Sequence, residues 1–359
     1  MTDLTLDDMS ARYVDAGMKE AAAKVPTFIV SADDHIDEPA DLWDSMPAEL
    51  RQHLARPPET FANRPKGGRD PKARLPDMDK DGIAAAVLYP TFTLRVFDKP
   101  QKVQEEAFRL YNDWIASYCK TAPKRLFAIP CISCWDIDQG VKEMQRCADM
   151  GLLGGLIWQV PHPSLPLHSK HYDKLWAAAQ ELDQPIHLHI LTGFNYKSGG
   201  AESKGMEKVR GSVNIKTSDS ANCLYDMIWS GVFSRFPKLK LVIVEAEMGW
   251  IPFYLQQWDY YFRRNQKKAH GNEAFAIERL PSEIFNEHVW ATFMDDYVGA
   301  QLLNFWGEKK CMWSSDYPHP NMTWPNSRAF LGRQIGDLAP EKQKLVLSQN
   351  CIDLYGLKL

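Results

Sequence analysis

The chain has 359 residues, 45% hydrophobic and 25% charged, with a formal net charge of −4. That is the composition of an ordinary globular protein, and without a Lys/Arg block it argues against nucleic acid or an anionic membrane as a partner. No run of eighteen apolar residues could span a bilayer, the acidic opening MTDLTLDDMSARYVDAG lacks the apolar core of a secretory signal, and seven scattered cysteines suit a reducing cytoplasm better than a disulfide framework.

Residues 1–26 read as an N-terminal extension. The first strand signal is TFIVSADDH at 27–35, followed by AAVLYPT at 85–91, LFAIPCIS at 126–133, LGGLIWQV at 153–160 and PIHLHIL at 185–191. Three more follow: LKLVIVEAE at 239–247, HVWATFM at 288–294 and KCMWSSDYPH at 310–319. Helical spacing of apolar residues separates several of them, at 102–120, 138–151, 172–182 and 219–236. This alternation predicts a single (β/α)8 barrel over residues 27–359. An open doubly wound sheet would carry a Gly-rich phosphate loop after its first strand, where this chain reads DDHIDEP.

Two connections, Pro39 to Asp81 and Leu191 to Ser220, are long for simple loops and lie after strands, on the C-terminal face where substrate pockets form. The second includes GFNYKSGGAESKG, expected to be a mobile segment. Cys131 and Cys134, in CISC, have metal-motif spacing, but no second pair shares it, so they read as structural.

In a strand, residues i and i+2 point to one side. Asp33 and His35 therefore share a face at the end of the first strand, as do His187 and His189 on the fifth and Glu245 and Glu247 on the sixth. A slip of one residue would present Asp34 instead of Asp33. Asp316 ends the eighth strand, and His319 follows it. All lie at C-terminal strand ends, where barrel active sites are found. Converging carboxylates and imidazoles suit a divalent zinc, manganese or iron ion, and the cation offsets the cost of burying so many acids. His187 sits a layer deeper and reads as a core residue; Glu245 and Glu247 could be ligands or partners of ligands. Arg74, Arg95 and Lys216 could hold a substrate carboxylate, and Trp43, Trp158, Phe194 and Trp324 could line the pocket or pack its loops.

The stretches SADDHIDEPADLW, DMDKDGIAAAVLYPT, YDKLWAAAQELDQPIHLHILTG, SGVFSRFPKLKLVIVEAEMGWIPF and WSSDYPHPNMTWPNS give the chain a family likeness. It resembles amidohydrolase-related family 2, the branch of the amidohydrolase superfamily that includes the aminocarboxymuconate-semialdehyde decarboxylase-like enzymes. The resemblance implies a distorted (β/α)8 barrel with the metal-binding positions falling on Asp33, His35, His189 and Asp316. It also implies a dimer, or pairing with a paralogous subunit. In the decarboxylases the sixth strand carries a catalytic histidine; here it reads VEAEMGW.

Three chemistries follow from this set, all on a small-molecule substrate. In hydrolysis a metal activates water, with Asp316 as general base. In non-oxidative decarboxylation the metal holds the acid's oxygens. In oxygenation Glu245 or Glu247, with His187 or His319, would hold a second metal beside the first. A metal-binding subunit without activity of its own is the non-enzymatic alternative. The expected catalytic residues are Asp316, His189 and Glu245, and the expected substrate contacts are Arg95, Trp158 and Phe194.

Overall fold

The computed structural model describes residues 16–59, 64–194, 206–266 and 276–359. Each of the eight strand signals yields a strand. In chain order they are β1 (Ile29–His35), β2 (Ile83–Tyr89), β3 (Leu126–Ala128), β4 (Gly155–Ile157), β5 (Ile186–His189), β6 (Leu241–Val244), β7 (Val289–Phe293) and β8 (Cys311–Trp313). All pair in parallel with their sequence neighbours, in two runs, β1-β2-β3 and β4 through β8. Nearly every strand residue is buried, as expected where side chains on both sheet faces are covered.

The two seams between these runs are hydrogen-bonded but irregular. Beyond β3, Cys131 bridges Leu156 of β4, with Ile132 N donating to Leu156 O (2.8 Å) and Leu156 N to Pro130 O (2.8 Å). Cys131 and Cys134 are thus buried, unpaired residues of this seam. At the other seam, Asp316 N donates to Asp33 O (3.2 Å) and His35 N to Tyr317 O (2.6 Å). The eight strands form the barrel that the alternation predicts, and the irregular seams are the distortion that the resemblance implies.

Both long connections hold more helix than the sequence suggests. Pro71–Asp81 is helical, capped by Asp70 accepting from Lys72 N and ended by Gly82 at φ 77°. Pro76 inside it and its charged run hide the apolar period. In the second connection a helix over Met206–Asn214 and a wide π-turn over Ile215–Asp219 lead into the helix Ser220–Trp229. Most of the Gly/Ser/Lys-rich stretch lies outside the described residues.

The described part of the extension, from residue 16 on, is docked. Helix Ala16–Ala21 and the turn Ala22–Lys24 lie on helix Ser327–Ile335, where Met18 packs with Ala329 and Phe330. Arg328 Nη2 donates to Ala22 O (3.0 Å) and Val25 O (2.8 Å). The approach is so close that a Cβ on Gly332 would stand 2.3 Å from Ala21 O. Gly332→Ala is therefore expected to cost about 1–3 kcal/mol, as forced overpacking does. Urea unfolding measures it; wild-type stability would mean the extension does not dock there.

Candidate metal centre

β1 delivers the first two candidates. Its alternate residues face opposite ways, and Asp34, the one between them, turns away from the barrel mouth. There it accepts from Ser31 Oγ (2.6 Å), Ser315 Oγ (2.6 Å) and Arg74 Nη2 (2.9 Å). Arg74, a possible substrate contact by sequence, is fully buried in this structural pair. Asp33 and His35 take the other face, as the unslipped register predicts. Asp37 pairs with Arg64.

His35 and His189 meet at the centre, with their Nε2 atoms 3.2 Å apart. Each Nδ1 faces a carbonyl oxygen, that of Pro90 (2.7 Å) and that of Ile190 (2.6 Å), so each Nδ1 carries the ring proton. Two Nε2 lone pairs are left pointing at one another. Burial pushes His35 well below the ordinary imidazole range, helped by His319, and pushes His189 down to about 4. Burial thus disfavours a second proton on either ring, and a bound cation would relieve the contact.

Carboxylates close around the same point. Asp33 Oδ1 lies 3.6 Å from His35 Nε2 and 3.8 Å from His189 Nε2. Asp316 Oδ1 is 3.5 Å from His35 Nε2, and Glu245 Oε2 is 3.5 Å from His189 Nε2. Donors each about 2.1 Å from one ion lie roughly 3–4 Å apart, depending on the angle between them. Both oxygens of Asp33 are buried without a hydrogen bond, and Asp316 Oδ2 is likewise unpartnered. An imidazole that gives its other N–H to a carbonyl is the usual form of a metal ligand. Donor set, spacing and orphaned oxygens thus fit a divalent cation.

His319 stands at the rim. Its ring stacks on His35 at 3.8 Å, and its Nδ1 meets Asp316 Oδ1 at 2.9 Å. Burial opposes its charge, but Asp316 and then Glu245 raise its pKa above the ordinary value. Among these six side chains, Glu245 and His319 retain 11% and 13% exposure and the others at most 1%, so the centre opens on their side.

Glu247 is not among the donors. Its Oε1 accepts from Lys216 Nζ (3.1 Å) and its Oε2 from Met294 N (3.0 Å). The pleat argument fails because β6 ends at Val244: Glu245 and Glu247 sit beyond it, in left-handed backbone at φ 57° and 59°. Asp316 has the same conformation at φ 57°. Lys216, placed by the π-turn, is engaged with Glu247. His187 lies a layer below as expected, its Nε2 3.0 Å from Tyr355 Oη, with its pKa pushed down to about 3 by burial.

The expected substrate contacts divide. Phe194 packs edge-to-face against Trp135 and His162, whose rings are tilted to each other, beyond the ends of β3, β4 and β5. Trp158 is buried beneath it and donates to Tyr172 Oη (2.8 Å), so it supports this group rather than facing open space. Arg95 is exposed, its guanidinium over the Phe92 ring. Trp43 and Trp324 are loop-packing residues, with Trp324 Nε1 donating to Asp77 O.

Burial and then Glu245 push the Asp33 carboxyl well above its usual range, while burial and then Asp316 push Glu245 up to about 8. Without a cation the centre therefore retains protons that an ion must displace, and raising the pH removes that competition. Mn²⁺ is expected to bind roughly 10- to 100-fold more tightly at about pH 8 than at about pH 6, releasing about one proton near neutrality. Calorimetry in buffers of different ionisation heat reads both; pH-independent binding with no proton release contradicts the donor assignment.

Comparison with known proteins gives the chain its family. The profile of a family described as amidohydrolase matches residues 35–357. A decarboxylase of Emericella nidulans, orsB, is 26% identical over 306 residues, 80% of this chain and 85% of the relative. Gamma-resorcylate decarboxylase of Rhizobium radiobacter is 24% identical over 258 residues, 69% of this chain and 77% of that one. Among solved structures, a dihydroxybenzoic acid decarboxylase from Polaromonas, with bound manganese and the inhibitor 2-nitroresorcinol, superposes with a TM-score of 0.68. It shares 18% identity, over 92% of this chain and 97% of its own. The profile takes in nearly the whole barrel, and the chain belongs to the amidohydrolase family.

Proposed function

We propose that the chain is a metal-dependent carboxy-lyase that removes the carboxyl group of a small organic acid as carbon dioxide, without oxidation. The observation that carries this reading is the His319 Nδ1 to Asp316 Oδ1 contact, 2.9 Å long, on the open side of the donor cluster. The decarboxylase relatives point the same way. Asp33, His35, His189 and Asp316 would hold one zinc, manganese or iron ion, with Glu245 beside them. When bound, that ion supplies positive charge for the acid's oxygens.

The chain's own residues manage the proton. His319 Nδ1 holds it, and the Asp316 carboxyl passes it to the carbon that bears the leaving group. One proton is consumed, the bond to the carboxyl carbon breaks, and its electron pair ends in the new C–H bond. Phe194, Trp135 and His162 offer a wall of rings to a planar substrate. In hydrolysis, the related alternative, Asp316 would instead take a proton from water.

A second reading rests on donor surplus. His35, Glu245, Asp316 and His319 form one potential ligand group, and Asp33, His35 and His189 another. Two redox-active ions shared between them would support O₂-dependent hydroxylation. Lys216 on Glu247 favours the single ion, because it removes one carboxylate from the supply. The unpaired cysteines favour a reducing cytoplasm. Pairing with a second copy or a paralogous chain, which the family resemblance implies, would be refuted by a monomer in light scattering.

The decisive experiment incubates the Mn²⁺-loaded protein with a panel of hydroxybenzoates and measures carbon dioxide release and metal content. One ion per chain and turnover are expected, with Asp316→Asn and His319→Ala each lowering kcat by about 100-fold or more. Two irons per chain with O₂ uptake would transfer the assignment to the second reading. His189→Ala is expected to lose most of the ion and Glu247→Gln to keep it; the reverse pattern would overturn the ligand set.

A further inference from the structure

DDHIDEP contains one more acid, and it touches none of the donors. Glu38 is fully buried just beyond β1. Its Oε1 accepts from Thr91 N (3.2 Å), Thr93 N (2.9 Å) and Thr93 Oγ1 (2.8 Å), and its Oε2 from Phe92 N (2.9 Å). Three successive backbone amides after β2 thus wrap a single carboxylate, an arrangement that compensates a buried anion and fixes the loop that wraps it. Both oxygens act as acceptors, which a carboxylate satisfies and an amide cannot.

The wrapped loop reaches the centre twice. Pro90 O takes the Nδ1 proton of His35 at 2.7 Å, which sets the tautomer and aims Nε2 at the cluster. Thr91 Oγ1 meets His319 Nε2 at 3.1 Å, and the opposite ring nitrogen meets Asp316. The two rings stack, so a shift of residues 90–93 would move both. We infer that Glu38 is a positioning residue: by clamping residues 91–93 it orients His35 as a ligand and His319 as the partner of Asp316.

The inference rests on the metal site proposed above, and metal binding tests it without need of a substrate. Full-length protein is titrated with Mn²⁺, and electron paramagnetic resonance reads the free and the bound ion. Glu38→Ala is expected to weaken Mn²⁺ binding about 10- to 100-fold and to change the bound-ion spectrum, as loss of a ligand's supporting contacts does. Glu38→Gln, which keeps the volume and one acceptor, should restore part of the affinity. Asp81 provides the control for a merely structural role. It is also buried and clamps a backbone amide, Ser327 N (2.9 Å), but it precedes β2, at the opposite end of the strand. Asp81→Asn should lower the unfolding temperature and leave Mn²⁺ affinity unchanged.

If Glu38→Ala does not fold, Thr91→Val removes only the hydroxyl contact with His319 and should still alter the bound-ion spectrum. Wild-type affinity and spectrum in the folded Glu38 variants, an unaltered spectrum in Thr91→Val, or an equal affinity loss in Asp81→Asn would each overturn the inference. A wild-type protein that binds no Mn²⁺ would instead remove the metal site itself.

Discussion

Two buried imidazole lone pairs facing each other, with carboxylates on either side, form an arrangement that the polypeptide cannot satisfy alone. His35 and His189 have committed their ring protons to carbonyl oxygens, so neither can donate to the other. Asp33 offers two acceptor oxygens and receives nothing. In a low-dielectric interior such a set is tolerated only if the rest of the fold holds it together. Here the holding is done by parallel strands covered on both faces and by the carbonyl hydrogen bonds on the far side of His35 and His189. The barrel is rigid where it must resist its own charges, and those charges in turn account for why a cation belongs there.

The strand exits matter as much as the strands. Leu191, Glu245, Glu247 and Asp316 all adopt left-handed backbone just past a strand end, in residue types for which that conformation is uncommon. Each bend turns the chain out of its ladder. After β6, one bend brings Glu245 toward His189 and the next carries Glu247 to Lys216. Two like residues two positions apart thus acquire different tasks.

This is also where the sequence stops being legible. Alternation puts Asp33 and His35 on one face of β1, as found, but the ladder is irregular between Ser31 and Asp34, so the choice of Asp33 over Asp34 could not be made from alternation alone. β6 ends one residue before its acids, and nothing in VEAEMGW marks that end. The helix Pro71–Asp81 is hidden for a different reason. Its internal proline and charged face weaken the apolar period, and only its cap signals, Asp70 and Gly82, point to it. Cys131 and Cys134 look like a ligand pair and are seam packing, because spacing in sequence says nothing of what lies opposite. Glu38 shows the limit most clearly. Its partners are backbone amides of residues 91–93, which no pattern of residue types announces.

The docking of Ala16–Ala21 onto Ser327–Ile335 has a consequence for how the chain is made. Synthesis runs from the N-terminus, so β1 and the helix before it emerge while their partners are still untranslated. Asp33 and His35 leave the ribosome first among the donors, and Asp316 follows only when most of the chain is complete. Until then the edge of β1 that β8 will cover lies open, and an open strand edge invites wrong pairing. Closing β8 against β1 brings Asp316 beside Asp33 and His35, and helix Ala16–Ala21 packs on Ser327–Ile335 across the same side of the fold.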